Sequence, residues 1–139
     1  MSSVRQQINI AVGPRAVWRA FTTEEGVTSW WVDGARIVAS EGGRIVLDTE
    51  DDEGQPLQER GLFHALRPTR SIEIIFDKAP PTPWAGSRLK LSLARDRGET
   101  RVVLVHSGSS ETFTDDEQRA ALDKEWRSAL RSLRGALEG

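Results

Sequence analysis

The sequence predicts an α+β fold in which a long C-terminal helix lies across a curved antiparallel sheet. The first observation is an apolar stripe within residues 114–137, whose members recur every three or four positions, as on one face of a helix. The second is a series of short alternating segments separated by turn residues, which is typical of antiparallel strands. The helix cannot bury its stripe alone, so we expect the sheet to lie beneath it. The stripe consists of Leu122, Trp126, Leu130, Leu133 and Leu137.

The N-terminal part is predicted to form one strand and two short helices. Residues 4–12 place several apolar side chains on one face of a strand. Pro14 suits the first turn of the helix that follows, because its fixed φ angle and missing N–H are tolerated there. Thr22 or Thr23 is expected to cap a second short helix.

The middle of the chain is predicted to supply about six further strands. Glycine and proline residues mark the turns, and an acidic segment at residues 50–54 and a proline-rich loop at residues 78–86 form two of the connections. Short connections between consecutive strands imply antiparallel pairing. The strands are expected at residues 35–39, 44–48, 58–66, 71–76, 88–94 and 101–106.

The long helix is expected to begin at a capping box. Thr114 and Glu117 have the spacing at which the two side chains satisfy each other's backbone N–H groups. At 1.5 Å per residue the helix would be about 35 Å long, enough to cross a small domain. The segment before it, residues 107–113, is expected to be a loop.

Composition favours one domain spanning residues 1–139. The chain has no cysteine, which excludes disulfides and thiol chemistry. Residues 1–9 lack the apolar run of a signal peptide, and no run is long enough to span a membrane, so we expect a cytoplasmic protein without an integral membrane segment. A net charge of −2 argues against nucleic acid as the main partner. The oligomeric state is left open.

A pattern spread over almost the whole chain resembles a known family. The residues that carry it are Pro14, residues 17–22, Trp30, Trp31, Gly61, Pro68, residues 106–108, Trp126, Leu130, Leu133 and Leu137. With them the chain resembles the START-like, birch-pollen-allergen-like (SRPBCC) superfamily. Within it, the chain is most similar to small bacterial proteins related to the C-terminal domain of the activator of the heat-shock chaperone ATPase.

The resemblance implies a helix-grip fold, with a curved sheet of about seven strands wrapped around the long helix and a cavity between them. Superfamily members bind lipids, sterols, polyketides or other apolar molecules, and some are cyclases or hydrolases. Glu125 departs from the pattern, since the family usually has glycine before the tryptophan. The eukaryotic co-chaperones carry a further N-terminal domain for which this chain has no room, so a chaperone-activating role is not favoured.

The apolar residues that are expected to face inward are candidates for the wall of a ligand cavity. Periodicity does not separate a cavity wall from a packed core, and core is the ordinary structural interpretation. The resemblance favours a cavity, and five tryptophans without tyrosine suit either environment. The candidates are Trp30, Trp31, Ile45, Leu47, Phe63, Ile74, Phe76, Leu89, Leu91, Leu104, His106, Trp126, Leu130 and Leu133.

His106 is expected to point inward, because it shares a strand face with Val102 and Leu104. An inward histidine would orient a ligand or exchange a proton near neutral pH. The structural interpretation, a buried histidine satisfied by hydrogen bonds, is favoured. The pattern does not fix the side of His64. The two histidines lack the H-x-x-x-H type of spacing, so no metal site and no cofactor is predicted.

The acidic segment around residues 48–59 has an ordinary explanation. Asp48, Glu50, Asp52 and Glu59 fall at ligand positions of a calcium loop, but Glu53 stands where the sharp turn requires glycine, so a solvated hairpin tip is favoured.

The long helix carries a basic stripe of Lys124, Arg127, Arg131 and Arg134. Such a stripe would suit phosphates or an anionic membrane surface. A solvated helix face is the favoured interpretation.

The sequence therefore predicts binding of an apolar or amphipathic small molecule, such as a lipid, a sterol-like molecule, a polyketide or an aromatic compound. The chain has no P-loop, no G-x-G-x-x-G and no G-x-S-x-G motif, and no catalytic residue is assigned. Two alternatives stay open: a module that contacts a chaperone partner, and a cyclase or hydrolase that uses the same cavity.

Overall fold

An antiparallel sheet of seven strands frames the computed structural model, which describes residues 2–139. The strands are β1 (Ser2–Ile10), β2 (Gly34–Ile37), β3 (Arg44–Glu50), β4 (Pro56–Arg67), β5 (Ser71–Phe76), β6 (Arg88–Asp96) and β7 (Glu99–Gly108). Their order in the sheet is β1-β7-β6-β5-β4-β3-β2. Strands β2 to β7 therefore follow one another as neighbours, and β1 pairs with the last strand.

Four helices accompany the sheet within the described residues. They are α1 (Pro14–Thr22), α2 (Glu24–Thr28), α3 (Glu111–Thr114) and α4 (Asp116–Glu138). Pro14 opens α1, and the Thr23 hydroxyl caps α2 by accepting the Gly26 N–H at 2.9 Å, both as predicted. None of the helices in residues 2–139 has the length and apolar character needed to cross a lipid bilayer.

The sheet and α4 share one apolar core. On β5 the alternating residues Ile72, Ile74 and Phe76 are at most 1% exposed. The stripe of α4 is buried from Leu122 to Leu133 and faces the same cluster, while Leu137 is partly buried. The alternating residues on one face of the sheet thus pack against the apolar stripe of the helix. The predicted helix-grip α+β fold is confirmed.

Polar contacts at two points along α4 hold it beside β1 and the residue that follows this strand. The Gln6 side-chain amide donates to the Asp123 carboxylate at 2.7 Å, and the Ala11 N–H donates to the Glu138 carboxylate at 2.7 Å. These bonds fix the position of α4 along the sheet, and residues 118–129 of the helix face the β3–β4 hairpin across a pocket.

The start of α4 differs from the prediction. The N-cap is Asp115, whose carboxylate accepts the Gln118 N–H at 2.9 Å, and the predicted Thr114–Glu117 capping box is wrong. Thr114 is unable to serve because it ends α3, where its hydroxyl donates to the Ser110 carbonyl at 3.2 Å. The predicted loop at residues 107–113 is also wrong, since it contains the end of β7 and most of α3.

Strand ends differ from the predicted ranges because backbone pairing continues through polar residues. Ser2 pairs with Gly108, so β1 and β7 extend together beyond their apolar positions. The pairing of β4 with β5 shifts register between Phe63 and Ala65, which marks a bulge. His64 lies at this bulge and is exposed to solvent.

Candidate ligand pocket

A pocket of about 390 Å³ lies between the β3–β4 hairpin, the proline-rich loop (residues 78–86) and the first half of α4. This volume lies within the range of small-molecule binding sites. Strand, loop and helix all contribute apolar side chains to it, and we call it the tryptophan pocket. Its main apolar lining residues are Trp31, Leu47, Leu57, Trp84, Leu122 and Trp126.

Three indole rings form one wall of the tryptophan pocket. Trp84 and Trp126 are stacked, with ring centroids 5.4 Å apart and planes 23° apart. Trp31 lies 5.5 Å from Trp126 and 6.2 Å from Trp84. Trp30 stacks on Trp31 at 5.3 Å and donates its indole N–H to the Ala20 carbonyl at 2.9 Å, which ties the aromatic cluster to α1.

Glu59 holds the proline-rich loop against the pocket. This β4 residue is 3% exposed, and both of its carboxylate oxygens accept hydrogen bonds from the loop. The Thr82 hydroxyl donates to one oxygen, and the Trp84 backbone N–H donates to the other at 3.2 Å. Glu59 thereby positions the loop that brings Trp84 over the pocket.

Two carboxyl groups of the pocket have raised pKa values. Burial raises the pKa of Glu59, and the hydrogen bonds from Thr82 and Trp84 act in the opposite direction. Partial burial of the Glu125 carboxyl raises its pKa, and the negative charge of Asp52 adds to this, although Glu125 as a whole residue is exposed on α4. Both groups lose stabilisation by water without gaining a cationic neighbour.

His106 lies behind the tryptophan wall and is 0% exposed. The Trp126 indole N–H donates to His106 Nδ1 at 3.1 Å, and His106 Nε2 lies 2.9 Å from the Ser87 hydroxyl. The rings of Trp84 and Phe113 pack against the imidazole in T-shaped arrangements, each with ring centroids 4.8 Å apart. His106 is therefore enclosed by aromatic rings and connected to the pocket through two of them.

The partners of His106 determine its tautomer. Because an indole N–H only donates, Nδ1 must accept, and the single proton lies on Nε2, which donates to Ser87. Burial lowers the pKa of His106 to about 3, so the ring is neutral near pH 7. A neutral, fully hydrogen-bonded histidine positions Trp126 rather than exchanging protons.

Gly108 allows the ring that closes the far side of this cluster to approach. A Cβ atom at position 108 would lie 2.6 Å from Cδ2 of Phe113, closer than side chains normally approach. Phe113 is fully buried on α3. The absence of a side chain at Gly108 therefore lets α3 pack its phenyl ring onto His106.

The structure distributes the candidate residues over several environments. Trp31, Leu47 and Trp126 lie on the wall of the tryptophan pocket, while Trp30 and His106 lie behind that wall. Leu130 lines a separate groove beside β1. Eight candidates are core residues at most 1% exposed: Ile45, Phe63, Ile74, Phe76, Leu89, Leu91, Leu104 and Leu133. A ligand-binding role for the fourteen residues stays a prediction.

Sequence reasoning missed several residues of the site. Trp84 lies in a loop without periodicity, and only its presence among prolines singles it out. The position of Glu59 could have been predicted from the sequence. It falls on the same side of the alternating strand as Leu57 and Phe63, which places an acid on the inward face of β4. Leu122, Ser87 and Phe113 were likewise not assigned to the site.

The basic stripe of α4 lines a second groove of about 340 Å³, which we call the arginine groove. Its lining residues are Gln6, Gln7, Ile8, Arg127, Leu130, Arg131 and Arg134. Arg127 also pairs with Asp123 at 3.4 Å. Within residues 2–139, no group of three histidine or acidic side chains is arranged to hold a metal ion.

The sheet, the gripping helix and the aromatic pocket define a helix-grip α+β protein. Residues 11–138 match the family described as "Activator of Hsp90 ATPase homolog 1-like protein". The chain belongs to this family, which has the SRPBCC fold, and the predicted resemblance is confirmed. Among curated proteins, none matches the chain.

Solved structures from several bacteria are similar to this chain. The Aha1 dimer from Colwellia psychrerythraea is 25% identical, with a TM-score of 0.82 over 99% of this chain and 97% of that chain. Protein CV1439 from Chromobacterium violaceum is 19% identical, with a TM-score of 0.80 over 99% and 98% of the two chains. Protein NE0264 from Nitrosomonas europaea is 17% identical, with a TM-score of 0.81 over 99% and 94%. The last two similarities concern the fold alone.

Proposed function

We propose that this protein binds an apolar or amphipathic small molecule in the tryptophan pocket. The observation that carries the proposal is the pocket of about 390 Å³ whose wall consists of the indoles of Trp31, Trp84 and Trp126. Burial of apolar ligand surface against these rings would contribute about 25 cal/mol per Å². The fold family commonly binds apolar ligands, which supports the same function.

The pocket also offers a few polar groups that would orient a ligand. Glu59, Thr49, Thr112 and Gln118 are among its lining residues. The indole N–H of Trp126 is already donated to His106, so that group holds the wall instead of binding the ligand. An apolar wall with a small number of polar groups is typical of ligand pockets.

The first test is native mass spectrometry of freshly purified protein, compared with its denatured mass. A reproducible excess mass that is released on denaturation is the expected result. A second arm titrates ligand-free protein with the neutral probe 2-naphthalenemethanol and follows tryptophan fluorescence. Three indoles line the pocket, so we expect binding to change the emission.

A matched pair of variants locates the binding. Ala129 lines the pocket and is partly buried, so Ala129→Phe would fill pocket space and weaken probe binding at least about tenfold. Ser128 is exposed on the same helix and is not a pocket residue, so Ser128→Phe controls for the added ring. Equal affinities in both variants would contradict the proposal.

A chaperone-interacting function is the alternative, because the family description names Hsp90 ATPase activation and one similar structure is an Aha1 dimer. Direct binding of purified Hsp90 with a changed ATPase rate, combined with no probe binding, would favour it. A cyclase or hydrolase that depends on His106 is less compatible with a ring whose pKa is lowered to about 3. The cytoplasmic location remains a prediction.

A further inference from the structure

The charged residues around the tryptophan pocket have one sign. Among the described residues that line it, the charged side chains are all acidic: Glu50, Asp51, Asp52, Glu59 and Glu125. They come from separate elements, namely the β3–β4 hairpin, the inward face of β4 and the side of α4 that borders the pocket. Acidic residues of three elements thus border one apolar cavity, and the Asp51 carboxylate also accepts the backbone N–H groups of Glu53 and Gln55.

Among the residues that the structure describes, these carboxylates have no cationic partner. The ion pairs formed within residues 2–139 include none of the five. Glu59 is 3% exposed, and its partners are a hydroxyl and a backbone N–H, which are both neutral. Glu59 is the buried member of the group, whereas Glu50, Asp51, Asp52 and Glu125 are exposed and form an acidic rim around the pocket. The pocket therefore has an uncompensated negative potential.

The aromatic wall of the pocket also favours a positively charged ligand. The faces of indole rings carry negative charge density and attract cations positioned within about 6 Å. Trp31, Trp84 and Trp126 have ring centroids within 5.4–6.2 Å of one another, so one ligand would contact more than one ring. An ammonium group near this wall would meet both the ring faces and the carboxylates.

From this geometry we propose that the tryptophan pocket selects cationic amphiphiles, which are amines with an aromatic or aliphatic body. The apolar body would lie against the three indoles, and the ammonium group would lie between Glu59 and the acidic rim. Anionic amphiphiles such as fatty acids would be disfavoured, because their carboxylate would meet the like charges of the acidic rim. This inference rests on the proposed function and specifies the class of ligand.

The negative charge around the pocket is local and does not follow from the net charge of the whole protein. The chain has 19 basic and 21 acidic residues, so its overall charge is close to balanced. On the same helix, Arg127, Arg131 and Arg134 line the arginine groove, whereas Glu125 faces the tryptophan pocket. The two faces of α4 therefore separate the charges.

The test uses three probes that share a naphthalene ring and differ in charge: 2-naphthylmethylammonium, 2-naphthalenemethanol and 2-naphthoate. Isothermal titration calorimetry of the full chain at pH 7.5 and low salt gives their affinities. We expect the cation to bind at least about tenfold more tightly than the anion, with the neutral probe between them. The ratio should shrink at 0.5 M salt, because exposed charges are screened.

Variants assign the preference to the pocket. Asp52→Asn combined with Glu125→Gln should reduce cation affinity severalfold and leave neutral-probe affinity nearly unchanged. Glu117→Gln is the control, since Glu117 is an exposed acid of α4 outside the pocket lining. The control should bind all three probes like the parent protein.

The outcomes separate this inference from the proposed function. Equal affinities for the three probes would overturn the cation preference while the pocket proposal stands. Tighter binding of the anion would overturn it as well, and so would a double variant with unchanged cation affinity. If none of the probes binds, the proposed function and the cation preference both fail.

Discussion

The protonation state of the buried His106 ring affects the shape of the pocket. Its two nitrogens are occupied by Trp126 and Ser87, and the surrounding rings leave it 0% exposed. The neutral tautomer with the proton on Nε2 fits both partners, whereas imidazolium would direct an N–H at the indole N–H of Trp126. The orientation of Trp126, and with it one wall of the pocket, depends on this ring staying neutral.

This protonation predicts a pH-dependent stability. Burial lowers the pKa of His106 from its ordinary value of 6.5 to about 3 in the folded protein, so between these values only the unfolded chain binds the proton. Stability therefore falls as the pH decreases below 6.5, by about 1.4 kcal/mol per pH unit from this residue. Urea unfolding at pH 7.0 and 5.5 should show a loss of about 1 kcal/mol.

His106→Gln is the matched variant for this loss, since glutamine is neutral and hydrogen-bonds on both sides. It should be less stable at pH 7.0 but should lack the His106 part of the pH dependence. The raised pKa values of Glu59 and Glu125 act with the opposite sign, adding stability as the pH falls toward 4.5, and they remain in both proteins. The same fall in parent and variant would rule out His106 as its source.

A second prediction at the residue scale concerns the indole N–H of Trp126. Trp126→Phe keeps an aromatic ring and removes the donor to His106 Nδ1. A buried acceptor without its donor costs about 1–3 kcal/mol, so the free energy of unfolding should fall by this amount. ¹⁵N NMR of the imidazole should show a changed tautomer balance. An unchanged tautomer with unchanged stability would mean that the Trp126–His106 bond contributes little.

At the scale of elements, the start of α4 gives a direct comparison of two capping residues. The structure places the cap at Asp115, which accepts the Gln118 N–H, so Asp115→Ala should lower stability by about 1 kcal/mol. Thr114 bonds within α3 instead, and Thr114→Ala should change stability by less than about 0.5 kcal/mol. Urea unfolding of both variants is the measurement, and the reverse order would favour the capping box.

Elements with a regular apolar period were predictable from the sequence. Alternation locates β5 at residues 71–76 as observed, and the leucine–tryptophan stripe locates most of α4. The single turn of α3 was not predictable, because Glu111–Thr114 is too short to show a period. Local sequence patterns therefore predict the presence of regular helices and strands well and their end residues poorly.

The site was less predictable than the fold because long-range contacts assemble it. Trp84 meets Trp126 across more than forty positions of chain, and no local pattern relates the two. The stripe of α4 correctly marks Trp126 as inward, but it gives no indication that Leu122 and Trp126 border open space whereas Leu133 is core. Separating pocket from core requires knowing where the facing elements end.

At the scale of the whole molecule, the pocket joins parts of the chain that are distant in sequence. The β3–β4 hairpin, the proline-rich loop and α4 each supply lining residues, and β1 holds α4 through the hydrogen bond from Gln6 to Asp123. A ligand that contacts all three parts would bind the folded protein and not the unfolded chain. Binding should therefore stabilise the fold as a whole.

Thermal unfolding measures this coupling. At a probe concentration about 100 times its Kd, 2-naphthalenemethanol should raise the free energy of unfolding by about 2.7 kcal/mol, which corresponds to a Tm increase of several degrees. Ala129→Phe should reduce the increase at the same probe concentration because the pocket is partly filled, whereas Ser128→Phe should preserve it. An equal increase in both variants would mean that the probe binds another surface, because a ligand that binds only the folded state stabilises it wherever the site lies.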